Sequence, residues 1–447
     1  MSSIVLHSTV RLLPLLIALG LAAPAQAQSL VDLYTAARGY DAAYQSAKAQ
    51  FDATVYKADQ ARALVLPKVG LTSGYSSANY ESKSLPGAGT IDRGFTTQTV
   101  GINATHPLFH PADDASYQQS LRANDQAAAA LKAAEQDLIV RLSQAYFDVL
   151  ASSDSLAFVK AQKAAVQEQL ASAKRNFEVG TATITDTREA QARFDLVTAQ
   201  EIAADNDLRV KNLALAQLVG QRAAEPKRLA EPVALSTFTF ADVESWVSRS
   251  QSEHPAIQQL QVALEVAQLE TRKARAAHLP TLDLVAGYQA TTNNGSATVA
   301  TNYGSNAASI GVNFNMPLFA GFAIQNRVKE TVSLEEKARA DLDAALRTVA
   351  QGTRAAFYGV ESGLGQVKAY EAADISSQSA LDANKLGYQV GVRINIDVLN
   401  AQSQVYDTKA KLAKARYDVL VGSLRLRQAS GTLAEADLQP VNALLAK

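Results

Sequence analysis

The sequence predicts an α+β membrane protein built from two copies of one unit, with four membrane β-strands and long coiled-coil α-helices. Three observations point there. First, T-V-G-I-N-A-T-H-P-L-F at 99–109 returns as S-I-G-V-N-F-N-M-P-L-F at 309–319, with Gly101, Asn103, Pro107, Leu108 and Phe109 repeated 210 residues later. Second, both strings alternate apolar with small or polar residues, the period of a strand with two different faces. Third, residues 112–179 hold neither Gly nor Pro and are rich in Ala, Gln, Leu and Lys, all good helix formers.

At the N-terminus, the apolar run Leu12 to Ala23 followed by Pro24-Ala25-Gln26-Ala27 predicts a secretory signal over residues 1–27. The chain contains no cysteine, which excludes a disulfide framework, a thiolate zinc site and a lipid-acceptor thiol. Its 42 basic and 43 acidic residues leave a net charge of −1, which offers no electrostatic footprint for nucleic acid. Beyond the signal no run of about 18 apolar residues occurs, so a membrane helix is not available. A closed β-barrel is the remaining way to satisfy a backbone in lipid.

The duplication extends well beyond the opening string. Ala61-Arg62-Ala63…Leu66-Pro67…Gly74-Tyr75 corresponds to Ala274-Arg275-Ala276…Leu279-Pro280…Gly287-Tyr288, and Phe177-Glu178-Val179-Gly180 to Tyr388-Gln389-Val390-Gly391. Residues 28–230 are therefore expected to form repeat 1: a helix, a strand pair at about 68–107 and a long helical hairpin at 111–219. Residues 231–447 form repeat 2 in the same order, with a strand pair at about 281–317 and a hairpin at 321–430. A period of about 200 residues is too long for a solenoid.

Within the helices, a heptad register runs through Leu138, Leu142, Ala145, Val149, Ser152, Leu156, Val159, Lys163, Val166, Leu170, Ala173 and Phe177 and predicts a coiled-coil seam. At 1.5 Å per residue such a helix reaches about 100 Å, far more than a globular core can use. Gly180 suits the left-handed cap at its end. Asp186, with Glu189 three residues on, reads as the N-cap and partner of a capping box opening the return helix; Gly391 with Asp397 marks the same turn in repeat 2. Gly352, Gly359, Gly363, Gly365 and Gly387 predict bending or fraying of the second outgoing helix, since each costs about 1 kcal/mol against Ala.

Turning to the strands, in Ser309 to Met316 every even residue is apolar and every odd one small or polar; Leu282, Leu284, Ala286 and Tyr288 keep the same period. Polar stretches at 76–95 and 291–306 are expected to join the strands of each pair, and Pro107 and Pro317 to close them. A water-soluble sheet would alternate in the same way, so a soluble coiled-coil adaptor is the competing reading. In lipid, four strands cannot close a barrel, which needs about eight, and an open edge is forbidden. Such a barrel must be shared, as eight strands from a dimer, twelve from a trimer or sixteen from a tetramer. Gly311, Asn313 and Asn315 would then line water.

No catalytic constellation is legible. His106 and His110 lie across Pro107, His254 precedes Pro255 at a helix start, and His278 stands just before Pro280, with nothing converging on them in sequence. Trp246, the single tryptophan, reads as a packing anchor. No glycine-rich stretch is followed by Lys-Ser or Lys-Thr, so no phosphate loop, enzyme activity or cofactor is expected. Energy for any transport would come from a partner.

The A-R-A-x-x-L-P strand entries, the N-x-x-x-P-L-F strand exits and the turn from Gly387 to Gln402 together resemble the TolC family of outer-membrane factors, over essentially the whole chain after the signal. The missing cysteine looks like the non-lipidated branch. The resemblance implies a homotrimer with a twelve-stranded barrel in the outer membrane, and an α-barrel projecting across the periplasm. It implies a passive exit duct for efflux or type I secretion, docking with a periplasmic adaptor and an inner-membrane ABC exporter or proton-driven drug pump. It further implies a periplasmic mouth closed by polar bonds of Thr185, Asp186, Tyr388 and Arg393. Asp397 and position 400 would form pore-facing rings. The family pattern carries a carboxylate at both; here the second is Asn400, so that ring is expected to be neutral.

Overall fold

The computed structural model describes residues 28–82, 91–221, 224–231, 233 and 242–446; the expected signal at 1–27 lies outside them. In repeat 1, α1 (Leu30–Tyr40) and α2 (Ala42–Arg62) lead into β1 (Lys68–Ser82) and β2 (Ile91–Phe109), then α3 (Pro111–Glu178) and α4 (Ile184–Val219). Repeat 2 follows with α5 (Val243–Glu253), α6 (Pro255–Ala276), β3 (Thr281–Asn294), β4 (Asn302–Asn315), α7 (Ala323–Gln389) and α8 (Asn395–Ala429). A 3₁₀ turn at Glu435–Asp437 and α9 (Leu438–Asn442) come last.

Each repeat's entry helix is broken once, at a cap. Asp41 accepts from the Tyr44 N–H at 2.8 Å to start α2, and His254 Nδ1 accepts from the Ala256 N–H at 3.2 Å to start α6. Pro255, at the first helical position, has no N–H to leave unsatisfied there. Burial, and the charge of Lys132, hold the His254 imidazole below its usual pKa, which favours the neutral ring that can accept. Gly431, at φ 75°, lies so close that an added Cβ would sit 2.3 Å from the Cα of His254.

The four strands form one antiparallel sheet in the order β1-β2-β3-β4, so the two repeats are joined through β2 and β3. Polar residues expected to be linkers belong to the ladder instead: Ser76 pairs with Thr97, Tyr80 with Arg93, and Thr291 with Ser305. Thr and Tyr favour strands, and a sheet with one polar face has room for hydroxyl and amide side chains. Residues 83–90 of the first linker lie outside the described part. Pro107 also departs from expectation, because β2 runs on to Phe109 with a register shift between Pro107 and Phe109. The pairing of β1 with β2 stops at Lys68 and Thr105, so past that point β2 is an edge where a missing N–H costs no ladder bond on the β1 side. Pro317, by contrast, lies beyond the end of β4.

α3 is a single helix of 68 residues, and the seam residues Leu138, Leu142, Val149, Ser152, Leu156, Val166, Leu170 and Ala173 are buried. The seam opens at its last position, where Phe177 is 44% exposed. α7 is likewise continuous over 67 residues, passing through all five glycines expected to interrupt it. Packing explains the difference. A Cβ on Gly363 would lie 3.0 Å from Val419 of α8, and one on Gly422 of α8 would lie 3.3 Å from Val360 of α7. Gly363 and Gly422 let the two helices approach, while an added Cβ at Gly352, Gly359 or Gly365 would meet nothing within 4 Å; packing along the rest of the helix outweighs their propensity cost.

The main core sits midway along the long helices. Leu30, Leu33 and Tyr34 of α1 meet Leu138, Leu142, Tyr146 and Phe147 of α3, Leu215 of α4, Leu420 and Leu424 of α8, and Leu438 and Val441 of α9. Phe147 stacks on Tyr417 at 5.6 Å, and the two tyrosine hydroxyls reach out of the core: Tyr146 to the Lys227 carbonyl at 2.9 Å, Tyr417 to Asp154 at 2.6 Å. Isolated bridges, Gln28 with Pro226 and Leu229 with Leu445, tie the connecting segment to both ends of the described chain. Trp246 packs nearby against Val360 and Leu426. The apolar packing at the far tips of the two hairpins consists of small separate clusters around Val166, Leu170 and Leu399, and around Leu381, Val398 and Val405.

Candidate functional site

The sheet has two chemically distinct faces, fixed by register. Leu71, Ile102, Tyr288 and Ala308 lie side by side across the four strands, and Val69, Ala104, Ala286 and Ile310 form the next row. The rows between them belong to the opposite face: Gly70, Asn103, Gly287 and Ser309, then Thr72, Gly101, Gln289 and Ala307. The apolar side is open to the surroundings, with Val69 73% and Ile310 78% exposed. On the other side polar groups bond across strands, as Thr97 Oγ1 does to Asn293 Oδ1 at 2.6 Å. Such a sheet suits lipid on one face and water on the other. Among the described residues no helix is long and apolar enough to cross a membrane.

Where the sheet meets the helices, His110 spans two carboxylates. Its Nδ1 is 3.1 Å from Asp113 of α3 and its Nε2 is 3.0 Å from Asp283 of β3, which places the ring between β3 and the β2–α3 junction. Among the described residues no group of three or more His, Asp or Glu side chains is placed so that it could hold a metal ion.

At the opposite end, the two hairpins turn in the same way. Gly180 and Gly391 take φ 76° and 80°, and the carbonyls of Asn176 and Gly387 each accept two N–H groups from the turn that follows. Only Gly is at ease in that left-handed backbone. The first turn starts its return helix with Thr183, not Asp186. Thr183 Oγ1 accepts from the Asp186 N–H at 3.2 Å, while the Asp186 carboxylate accepts from the Thr183 N–H at 2.9 Å. Asp186 is thus the acidic partner of the capping box, three residues later than its cap. The register error arises because Thr and Asp are both good caps and only the backbone tells them apart.

The six tip residues singled out from sequence all gather at this end. Thr185 is exposed in the first turn of α4, and Asp186 beside it is spent on the capping box. Tyr388, in the last turn of α7, packs on Leu381, Val398 and Val405, and its hydroxyl accepts from Asn176 Nδ2 at 3.4 Å. Arg393 lies over Gly387 and reaches Asp397 at 3.6 Å. Asn400 Oδ1 accepts from Arg193 of α4 at 2.6 Å. Within one chain, Thr185 and Asp186 are not bonded to Tyr388 or Arg393.

Sequence reasoning missed side chains that join the hairpins, among them Asn395, Gln169 and Arg193. Asn395, fully buried, accepts from Gln169 Nε2 of α3 and donates to the Asp186 carbonyl of α4 at 3.4 Å. Arg193 acts through Asn400. An Asn at a helix start reads as a cap, yet the cap here is Ile394, which makes no side-chain cap bond. The one available signal was a polar Asn between Ile394 and Ile396.

Comparison with known proteins agrees with this architecture. The family model described as outer membrane efflux protein matches residues 33–221 and 246–432, one segment in each repeat. The outer membrane protein TolC of Vibrio cholerae is 35% identical over 437 residues, covering 97% of this chain and 98% of its own. The alkaline protease secretion protein AprF of Pseudomonas aeruginosa is 30% identical, covering 93% and 87%. The crystal structure of VceC, an outer membrane protein of Vibrio cholerae, superposes with a TM-score of 0.77 at 20% identity, covering 90% of this chain and 96% of its own; likeness at that identity shows the fold. With two matched segments, a lipid-and-water sheet and full-length relatives, the chain belongs to the outer membrane efflux protein family, that of TolC: an exit channel of the outer membrane, not an enzyme.

Proposed function

We propose that the chain is one third of a homotrimeric duct for efflux or protein export, gated at the helix tips and opened by docking to a periplasmic adaptor and an inner-membrane transporter. The sheet carries this reading. Among the described residues β1 and β4 each lack a partner on their outer side, while their apolar faces call for lipid. Lipid tolerates no open edge, so β4 of one copy must pair with β1 of the next. Three copies give twelve strands, within the range of outer-membrane barrels.

The gate reading draws on the tip residues. Tyr388, Arg393, Thr185 and Asp186 supply a phenol, a forked donor, a hydroxyl and a carboxylate at one level, and Asp397 and Asn400 face the pore as its two rings. Exposed pairs such as Arg393 with Asp397 are worth about 0–1 kcal/mol each, which suits a mouth that a partner pulls open. Two relatives named for protease secretion and one for efflux support an export role without choosing the cargo, and the choice between an ABC exporter and a proton-driven pump follows the cargo. In planar bilayers, the double variant Tyr388→Phe with Arg393→Ala is expected to raise single-channel conductance severalfold. Unchanged conductance would remove these residues from the gate.

A further inference from the structure

The expected neutral ring at position 400 is not isolated from charge. Arg193 Nη2 of α4 donates to Asn400 Oδ1 of α8 at 2.6 Å, and among the described residues this is the only polar partner of the guanidinium. An amide holds a guanidinium in place but cannot neutralise it, and Arg stays protonated at every accessible pH. One turn away, at three-residue spacing on the same helix face, Asp397 stands 3.6 Å from Arg393. The carboxylate of the first ring is therefore offset by a cation, whereas among the described residues no carboxylate forms an ion pair with Arg193; Glu189, four residues earlier on the same face of α4, is left unpaired with it.

We propose that Arg193 is a specificity-determining residue of the duct: pinned by Asn400, it makes the second ring of the mouth cationic, so that anionic solutes enter more readily than cationic ones. This rests on the reading above in which positions 397 and 400 face the pore. The solute class is defined by the donor. A guanidinium whose remaining N–H groups are free offers forked bonds to carboxylate or phosphate groups, including those of acidic side chains on an extended polypeptide. Charges repeated around one axis add their fields wherever they lie within about a Debye length of it, about 8 Å at physiological salt, and those fields fade at high salt.

The magnitude can be stated. One unit charge acting across about 6 Å of water changes the local concentration of a monovalent ion about threefold. In planar bilayers under a KCl gradient, purified Arg193→Gln is expected to raise the potassium-to-chloride permeability ratio at least about threefold. Arg193→Lys, which keeps the charge, should hold the parent ratio, and Asn400→Asp should raise it, since a carboxylate there pairs with Arg193. Asp397→Asn serves as the reference for pore-facing position and should lower the ratio. A ratio unmoved by Arg193→Gln but lowered by Asp397→Asn overturns the proposal and leaves the gate reading standing. A ratio unmoved by either variant takes selectivity away from the tips and overturns both.

Discussion

Asn395 shows how much a single buried side chain can hold at an otherwise thinly packed end. Its amide serves both helices of the first hairpin at once, through Gln169 and the Asp186 carbonyl. Leaving a buried polar group without its partner costs about 1–3 kcal/mol. Asn395→Leu fills the same space but strands both partners, so the tips are expected to loosen while the main core, centred on Tyr146 and Phe147, keeps its stability. The test is hydrogen exchange: faster exchange near Gln169 and Asp186, with the core unchanged, is the expected outcome, and unchanged exchange at the tips would remove the bridging role. The place of Tyr388, Arg393 and Asp397 at the hairpin tip was readable because they stand within a few residues of the turn glycine Gly391. The bridging roles of Asn395 and Arg193 were not, because their partners are 226 and 207 residues away.

Among the elements, the coiled-coil seam and the left-handed turns at Gly180 and Gly391 were readable because periodicity and glycine chemistry act over a few residues. The exact start of α4 was not, since Thr183 and Asp186 compete for one role. Of the five glycines of α7, Gly363 is a point of helix contact and Gly387 lies against Arg393, whereas a Cβ added at Gly352, Gly359 or Gly365 would touch nothing within 4 Å. Gly363→Leu places a bulky side chain where even a Cβ would lie 3.0 Å from Val419, so α7 and α8 must separate. Overpacking of this kind costs about 1–3 kcal/mol. Thermal unfolding of Gly363→Leu is expected at a clearly lower temperature than that of Gly365→Leu, whose Cβ would meet nothing within 4 Å. Equal shifts would mean that helix propensity, rather than packing, sets the cost.

For the whole molecule, the two faces of the sheet make opposite predictions at adjacent positions. Ile310 shares its row with Val69, Ala104 and Ala286, whereas Ser309 lies with Gly70, Asn103 and Gly287. Ile310→Arg places a charge against lipid, at a cost of about 2–4 kcal/mol near the bilayer midplane, and should reduce assembled protein in the outer membrane. Ser309→Arg should assemble normally and lower conductance. Equal loss from both would contradict the assignment of faces. Duplication, the alternating faces and helices too long for a globule were determined by the sequence itself, because each is a local period that the chain displays wherever it folds. Only the tertiary structure decided that β2 and β3 fuse the repeats into one sheet, that Pro107 falls on an edge, and that Arg193 meets Asn400. Those pairings join segments far apart in the chain, and a segment's own period shows which face it buries but not which partner it meets.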